Sequence, residues 1–196
     1  MTTVLILNAD KEVGSAVYQA CYNSDWVVYS IQDKPPVVGI TPILENWYQI
    51  HSTELTYYSE VLRAVDGLIR ENVVFDHIIL AEPVEDSKFT HEVELPWLLY
   101  RNSWGLAISR VLRQHKRLAT KGNVVHLLPN SKERNSTLRL LNQLLRVVAG
   151  MYDSSDILVT LSKPVVETEI SDLLDKLSGY GVSVGTSWDL TGSNHG

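Results

Sequence analysis

Apolar runs and helical repeats alternate at the start of the chain. An unbroken apolar run from Val4 to Leu7 ends at Asn8, which is typical of a strand buried on both faces of a parallel sheet. Apolar residues then recur at the 3.6-residue period of a helix from Val13 to Cys21, and Trp26 to Ile31 supplies a second β-branched run. The pattern predicts a β-α-β unit.

The same alternation continues along the rest of the chain. Pro35, Pro36, Gly39 and Pro42 predict an irregular stretch, and a short third strand is expected from Trp47 to His51. The later predicted elements are, in chain order, a helix from Leu55 to Asn72, a strand from Phe75 to Ala81, a helix from Leu95 to Arg117, a strand from Asn123 to Leu128, a helix from Ser136 to Ala149, a strand from Ile157 to Leu161, a helix from Glu169 to Leu177 and a strand from Val182 to Trp188. This order predicts a doubly wound α/β fold, a mostly parallel sheet of about six or seven strands with helices on both faces.

Composition favours a single domain over residues 1–196. Hydrophobic residues make up 44% of the chain and charged residues 20%, and no Pro/Gly/Ser-rich tract marks a linker. The single cysteine, Cys21, falls within the first predicted helix, so we expect a packed thiol in a reducing compartment such as the cytoplasm. No apolar run reaches the roughly 18 residues of a membrane span, and the first strand begins too early to leave room for a signal peptide.

Charge and histidine spacing argue against several classes of function. The net charge of -6 gives no general attraction to nucleic-acid backbones, so we expect neither a nucleic acid nor a membrane as partner. None of the six histidines has a metal-binding spacing, and no Walker loop or Gly-x-Ser-x-Gly motif occurs, so no metal site is expected. His126, in the fifth predicted strand, is expected to be a core or surface histidine rather than a general base.

The helix predicted for residues 136–149 is apolar nearly all round. Its leucines and valines leave little polar surface for water, so the helix needs cover on two sides. The sheet can cover one side. A neighbouring helix or a second subunit would cover the other, which suggests an oligomer.

Several segments resemble the short-chain dehydrogenase/reductase family, in the same order and along almost the full length of the chain. The long helix of that family carries Asn-x-x-Gly, which Asn102 and Gly105 match after Trp97. The other matching segments are residues 122–127, 146–149 and 157–164, Thr168 and residues 183–192. The resemblance implies a Rossmann-like fold, the scaffold of an NAD(P)-dependent oxidoreductase, and a homodimer or homotetramer formed through the helices at 95–117 and 136–149.

The chain departs from the family in its first loop. Where the family reads Gly-x-x-x-Gly-x-Gly, the three positions here are Asn8, Glu12 and Gly14. The resemblance assigns Gly14 to close helix-strand packing, whereas Glu12 places a carboxylate where the family's backbone approaches the pyrophosphate. A carboxylate about 4 Å from a phosphate costs on the order of 4 kcal/mol at an effective dielectric near 20. The expected cofactor site is therefore degenerate and comprises Asn8, Glu12, Gly14, Asp33 and Ala81.

The catalytic residues of the family are also missing from the matching positions. The family's Asn-Asn-Ala-Gly becomes Leu80-Ala81-Glu82-Pro83, and its catalytic serine falls near Pro129. No Tyr-x-x-x-Lys occurs between Gly122 and Ala149, so the usual proton donor for carbonyl reduction is absent. If the chain is an enzyme, the substitutes would be Asn102, Ser131, Lys132 and Arg134.

These departures leave three functions open. The first is a noncatalytic Rossmann-like domain that serves assembly, interaction or regulation, binds no cofactor, and works with its own copies or with an unknown protein partner. The alternative is an oxidoreductase that keeps NAD(P) and acts on a small carbonyl or alcohol substrate through atypical residues. A binding module that senses a small metabolite in the same crevice is the third.

Overall fold

The computed structural model describes residues 1–9, 12–32, 34–49, 57–81, 107–129, 156–162, 165–179 and 187–189. Its strands are β1 (Thr3–Leu7), β2 (Val27–Gln32), β3 (Val37–Val38), β4 (Thr41–Pro42), β5 (Trp47–Gln49), β6 (Phe75–Ala81), β7 (Leu118–Pro129), β8 (Asp156–Leu161) and β9 (Ser187–Asp189). Its helices are α1 (Glu12–Asn23), α2 (Tyr57–Arg70), α3, which is described at residues 107–114, and α4 (Glu167–Ser178). No described helix is both long enough and apolar enough to cross a membrane.

Seven strands form one parallel sheet in the order β5-β2-β1-β6-β7-β8-β9. The chain first builds outward from β1 through β2 to β5. It then returns to the other side of β1 and builds outward again from β6. The strand order therefore reverses between β1 and β6, and such a switch point is where doubly wound proteins bind ligands. The predicted mostly parallel α/β fold is confirmed, and the described residues supply seven strands of its sheet.

Alternate side chains of the sheet enter two separate apolar cores. Val4, Ile6 and Val28 face the layer that contains α1 and α4, whereas Leu5 and Leu7 face the layer that contains α2 and α3. Because both faces are covered, the strands read as continuous apolar runs. Right-handed crossovers place α1 and α2 on opposite faces, since their connections lead in opposite directions along the sheet.

The long helix ends earlier than the sequence predicted. Lys116 adopts φ 57°, its amide donates to the Arg113 carbonyl at 2.9 Å, and the Arg117 amide donates to the Leu112 carbonyl at 2.7 Å. This pair of bonds is a Schellman motif, which ends a helix through a residue in the left-handed conformation. The helix is described up to residue 114, so its predicted end at Arg117 is wrong.

Strand β7 begins before its predicted start at Asn123. Leu118 already pairs with Phe75, while Asn123 pairs with His77, so the register shifts between these two pairs. A Cβ on Gly122 would lie 2.8 Å from a main-chain carbonyl oxygen of β6. This close approach requires glycine and marks a bulge in the strand.

A small antiparallel ribbon lies in the stretch predicted to be irregular. Val37 pairs with Pro42 and Val38 with Thr41, and Gly39 takes φ 63° in the turn between them. We call residues 34–46, which include β3 and β4, the ribbon segment. It occupies the connection between the parallel strands β2 and β5, where most folds of this kind place a helix.

The remaining differences concern element ends. Helix α2 ends at Arg70 rather than Asn72, because Asn72 takes φ 62° in the turn that follows. Strand β9 is described at Ser187–Asp189, while most of its predicted range lies outside the described residues. The predicted helical segments at 95–106 and 136–149 also lie outside them.

Candidate functional site

The carboxyl ends of β1 and β6 meet at the switch point, and Asn8 joins them. Asn8 follows the last residue of β1 and is 9% exposed. Its side-chain Nδ2 donates to the Ala81 main-chain carbonyl at 2.9 Å, and its main-chain amide donates to the Ile31 carbonyl at 3.1 Å. One residue thus ties three neighbouring strands together at the edge where ligands of this fold class lie.

Asn8 also supplies the backbone geometry of this turn. Its φ is 59°, in the left-handed region that glycine and, among the other residues, asparagine adopt most readily. Asn8 therefore adopts a conformation that glycine would also allow, and its side chain adds a hydrogen-bond donor. The sequence did not predict that this donor would bind a carbonyl 73 residues away.

Gly14 allows α1 to approach β1 and β6 closely. A Cβ at this position would lie 2.3 Å from the Asn8 carbonyl oxygen, 2.9 Å from the Ala9 Cα and 3.0 Å from the Ala81 Cβ. The first two contacts are to backbone atoms and are too short for any side chain to occupy this position unless the backbone moves. Asn8, Gly14 and Ala81 therefore lie together at the switch point.

Helix α1 directs its amino end toward the same edge, because it follows β1 after a short turn. The helix begins at Glu12, and the free main-chain amides and dipole of such an end favour an anion. The carboxylate of Glu12 is itself favoured by that dipole, and it opposes a phosphate at the same place. The structure describes the main chain of Glu12, and Asp33 lies outside the described residues.

The residues predicted to replace the family's catalytic groups, Asn102, Ser131, Lys132 and Arg134, also lie outside the described residues. His126 is described, and it is 2% exposed in β7. It is level with Leu80 of β6, whose side chain faces the layer of α2 and α3. His126 therefore lies in the core on the face of the sheet opposite Gly14, so its placement does not suit a general base in the crevice.

Cys21 is fully buried among the apolar side chains that cover α1. Burial raises the pKa of its thiol to about 12. The thiol therefore stays protonated at neutral pH and is not a nucleophile, because reactivity belongs to the thiolate. The predicted packed thiol is confirmed.

A buried carboxylate that the sequence did not single out lies at the carboxyl end of β8. Glu169, in the first turn of α4, is 4% exposed, and its Oε2 accepts a hydrogen bond from the Ser162 main-chain amide at 2.8 Å. An acid in the first turn of a helix is favoured by the helix dipole. This position is the feature by which the sequence could have pointed to Glu169. The bond holds the start of α4 against the end of β8, so its role is structural.

His77 lies near the opposite end of the sheet, where β6 begins. It is 6% exposed, its ring stacks on Trp26 with a centroid distance of 6.0 Å, and its Nδ1 lies 3.5 Å from Asn123 Nδ2. Burial lowers the pKa of His77, although the charge of Asp76 and a hydrogen bond to the Leu177 main chain act in the other direction. Its distance from the switch point assigns His77 to the stability of the core.

No protein-family model matches the sequence, and no curated protein matches it either. Solved structures match it over nearly its whole length. A short chain dehydrogenase family protein from Francisella tularensis is 17% identical, with a TM-score of 0.63 over 96% of each chain.

Two further solved structures match the chain with similar sequence identity, coverage and TM-score. A short chain dehydrogenase/reductase family oxidoreductase from Brucella ovis, in complex with a partially ordered NAD, is 13% identical with a TM-score of 0.66, over 96% of this chain and 98% of that one. A short-chain glucose/ribitol dehydrogenase from Brucella melitensis is 11% identical with a TM-score of 0.68, over 96% and 94%. At these identities the likeness shows the fold, which is the Rossmann-like fold of short-chain dehydrogenases.

Proposed function

We propose that this protein binds a dinucleotide and uses NAD(P) to oxidise or reduce a small alcohol or carbonyl compound. The observation that carries the proposal is the switch point, where Asn8, Gly14 and Ala81 meet at the carboxyl ends of β1 and β6. Ligands of doubly wound folds lie at this place. The Brucella ovis oxidoreductase, which shares the fold, is in complex with NAD.

Three features of the site fit a dinucleotide. Asn8 turns the chain in a left-handed conformation, Gly14 lets α1 pack against the strands, and the amino end of α1 offers main-chain amides to a pyrophosphate. The carboxylate of Glu12 is the feature that weakens the fit. When bound, NAD(P) would supply the hydride chemistry, and the residues at the switch point would hold its phosphates.

Thermal unfolding with and without millimolar NADH or NADPH tests the proposal, because a ligand that binds the folded state raises the melting temperature by mass action. We expect a shift for the wild type and a larger shift for Glu12→Gly. The matched control is Glu167→Gly, which removes an exposed first-turn acid from α4 and should not enlarge the shift. A folded wild type and Glu12→Gly variant that both show no shift would contradict dinucleotide binding.

The second candidate is a noncatalytic role in assembly, interaction or regulation, and the Asn8 bond favours it. Asn8 places a side chain where the related family has glycine, and this side chain is already bonded across the switch point. A protein that has stopped binding pyrophosphate is free to fill that position. A shift for Glu12→Gly, together with none for the wild type, would support this candidate.

Asn102, Ser131, Lys132 and Arg134 remain the residues proposed to replace the family's missing catalytic groups. Each is tested by an alanine variant in an NADPH consumption assay against a set of small carbonyl compounds. A true proton donor should lower kcat by about 100-fold or more while the affinity for NADPH stays unchanged. Four variants with wild-type kcat would remove these residues from the proposal.

We also propose that the helices at 95–117 and 136–149 assemble the protein into a homodimer or homotetramer. The described part of the first helix buries Ile108 and Leu112 against the sheet, and the second helix is apolar nearly all round. Leu141→Glu and Leu145→Glu should each dissociate the oligomer, as measured by size-exclusion chromatography with light scattering. Leu62→Glu, at an exposed leucine of α2, is the control, and Leu141 and Leu145 variants that keep the full size would count against this interface.

A further inference from the structure

The ribbon segment is anchored to the rest of the protein by few apolar side chains. Val38 and Ile43 pack against the core beside α1, and Pro36 is buried. Val37, Ile40 and Leu44 are exposed over 45%, 97% and 70% of their surfaces. A helix in this connection would bury a stripe along its whole length, so the ribbon segment exposes little additional apolar surface when it lifts.

Three polar atoms on β2 and β5, the strands at either end of the ribbon segment, are buried and have no hydrogen-bond partner within the described ranges. They are Ser30 Oγ, Gln32 Oε1 and Trp47 Nε1. Ser30 and Trp47 are direct partners in the ladder between β2 and β5, so they point to the same face of the sheet. Gln32 lies two residues further along β2 and shares that face, which is the α1 face because Val28 belongs to the α1 core.

The ribbon segment lies on this same face, since Val38 and Ile43 pack against the α1 core, and in this position the three polar groups have no partner among the described residues. An unpaired buried polar group carries its full desolvation penalty, whereas water or a ligand would remove that penalty. The side chain of Gln32 is held in place, since its Nε2 donates to the Lys34 main-chain carbonyl at 2.5 Å. Its Oε1 is left as a free acceptor, and the penalty favours an open state.

The bonding of the ribbon segment suits movement as a unit. The Ile43 amide donates to the Pro36 carbonyl at 2.8 Å, and the β3–β4 pairing lies within the segment, so these bonds survive when it lifts. At its end, Asn46 takes φ 54° and accepts a hydrogen bond from the Ser30 amide at 2.9 Å. This end stays attached to β2, as does the start of the segment through the bond between Gln32 and Lys34, and the two attachments can act as hinges.

We propose that the ribbon segment is a lid over a polar site on β2 and β5, and that the opened site binds an uncharged amide group. Trp47 Nε1 donates to the amide oxygen, Gln32 Oε1 accepts from the amide N–H, and the Ser30 hydroxyl can pair with either. None of these three side chains is ionisable. A carboxylate or phosphate would therefore lose its hydration without gaining a countercharge from them.

Opening is tested by hydrogen exchange of the Trp47 indole N–H, followed by NMR on the full chain and assigned with Trp47→Phe. This proton is buried and unbonded in the closed state, so we expect it to exchange faster than the main-chain amide of Ile79, which lies in the buried centre of the sheet. Ser30→Ala removes one unpaired hydroxyl and should slow the exchange about tenfold by favouring closure. The control is Ser15→Ala, whose hydroxyl is already on the exposed surface of α1.

The ligand is tested with acetamide as probe. We expect a saturable shift of the Trp47 indole resonance in the wild type and none in Gln32→Met, which lacks the acceptor. Acetate, the charged counterpart, should produce no shift, and this arm also tests whether the exposed Lys34 recruits an anion instead.

Each arm can overturn the proposal. Indole exchange no faster than that of Ile79, or unchanged by Ser30→Ala, would refute the lid. Slowed exchange without a saturable acetamide shift, or an equal response to acetate, would refute the amide site. None of these experiments uses a dinucleotide, so their outcome is independent of the proposed oxidoreductase function.

Discussion

Two regions of the sheet differ in whether their buried polar groups have hydrogen-bond partners among the described residues. At the centre, the Asn8 side chain crosses the switch point to the Ala81 carbonyl at 2.9 Å. On β2, beside the edge strand β5, Ser30 and Gln32 are even less exposed, yet Ser30 Oγ and Gln32 Oε1 have no partner in the part of the chain that the structure describes. A paired polar group holds the neighbouring strands in place, whereas an unpaired one destabilises the packing of the segment that buries it.

The difference follows from what covers each place. At the centre, Gly14 brings α1 so close that backbone atoms touch, and there is no room for a polar group to turn away from its partner. At the edge, a short ribbon replaces a helix, and its outward side chains are largely exposed. The centre is therefore the rigid part of the candidate site, and the edge is the part proposed to move.

The largest loss of stability is expected from a substitution at Gly14, where the rigid centre of the site is packed most closely. Gly14→Ala places a methyl group 2.3 Å from the Asn8 carbonyl oxygen, so α1 or the end of β1 must move. We expect the free energy of unfolding to fall by about 3 kcal/mol, within the range for overpacked sites. Denaturant unfolding followed by circular dichroism measures the change.

Gly179→Ala is the matched control for that substitution. A Cβ at Gly179 would lie 3.4 Å from the nearest atom, the Asp175 carbonyl oxygen, which is ordinary contact. We expect a change below about 1 kcal/mol. Equal losses at Gly14 and Gly179 would show that close packing at the switch point does not limit stability.

Asn8 variants separate the side-chain bond from the backbone conformation. Asn8→Gly keeps the left-handed turn and loses the bond to Ala81, so we expect a loss of about 1 kcal/mol. Asn8→Ala loses the bond and also strains the backbone, so we expect about 2 kcal/mol. The same denaturant curves measure both, and an Asn8→Gly protein as stable as the wild type would show that the bond contributes nothing net.

His77 is intermediate between a paired and an unpaired buried polar group. Its ring is buried, and its contact with Asn123 is long, at 3.5 Å. Burial lowers the pKa of His77 from its ordinary value of about 6.5. Below about pH 6.5 the unfolded chain therefore binds a proton that the folded chain does not, and stability falls as the pH decreases toward the folded-state pKa. Above that range His77 adds no pH dependence.

The free energy of unfolding, measured from neutral to mildly acidic pH, tests this effect. His77→Phe keeps a ring beside Trp26 and removes the titration, so its stability should depend less on pH than that of the wild type. His115→Gln, at an exposed position after α3, should retain the wild-type dependence. A His77→Phe protein with an unchanged pH dependence would contradict the role assigned to burial.

Much of the fold could be predicted because it depends on local patterns. The apolar runs of β1 and β6 and the helical repeat of α1 each reveal their element within a few residues. The ribbon could not be predicted, because strands of two residues have no measurable period. The bulge at Gly122 was not predicted either, because it depends on a β6 carbonyl that is distant along the chain.

The candidate site was located by the sequence but not resolved by it. The order of elements placed Asn8 and Ala81 at strand ends and Gly14 in the first helix, and the family resemblance connected them with a cofactor. The bond from Asn8 to Ala81 was missed, because the two residues are 73 positions apart. The roles of Asn102, Ser131, Lys132 and Arg134 remain predictions.

The sequence by itself determined the alternation of strands and helices, and with it the mostly parallel sheet, because periodicity is local and crossover handedness is nearly invariant. The strand order, and with it the place of the switch point, came from the tertiary structure. Only the tertiary structure decided which buried polar groups have partners. It joins Asn8 to Ala81 and leaves Ser30 and Trp47 without a partner in the described residues. A hydrogen bond depends on a few tenths of an ångström between groups that are distant along the chain, and no local pattern encodes that distance.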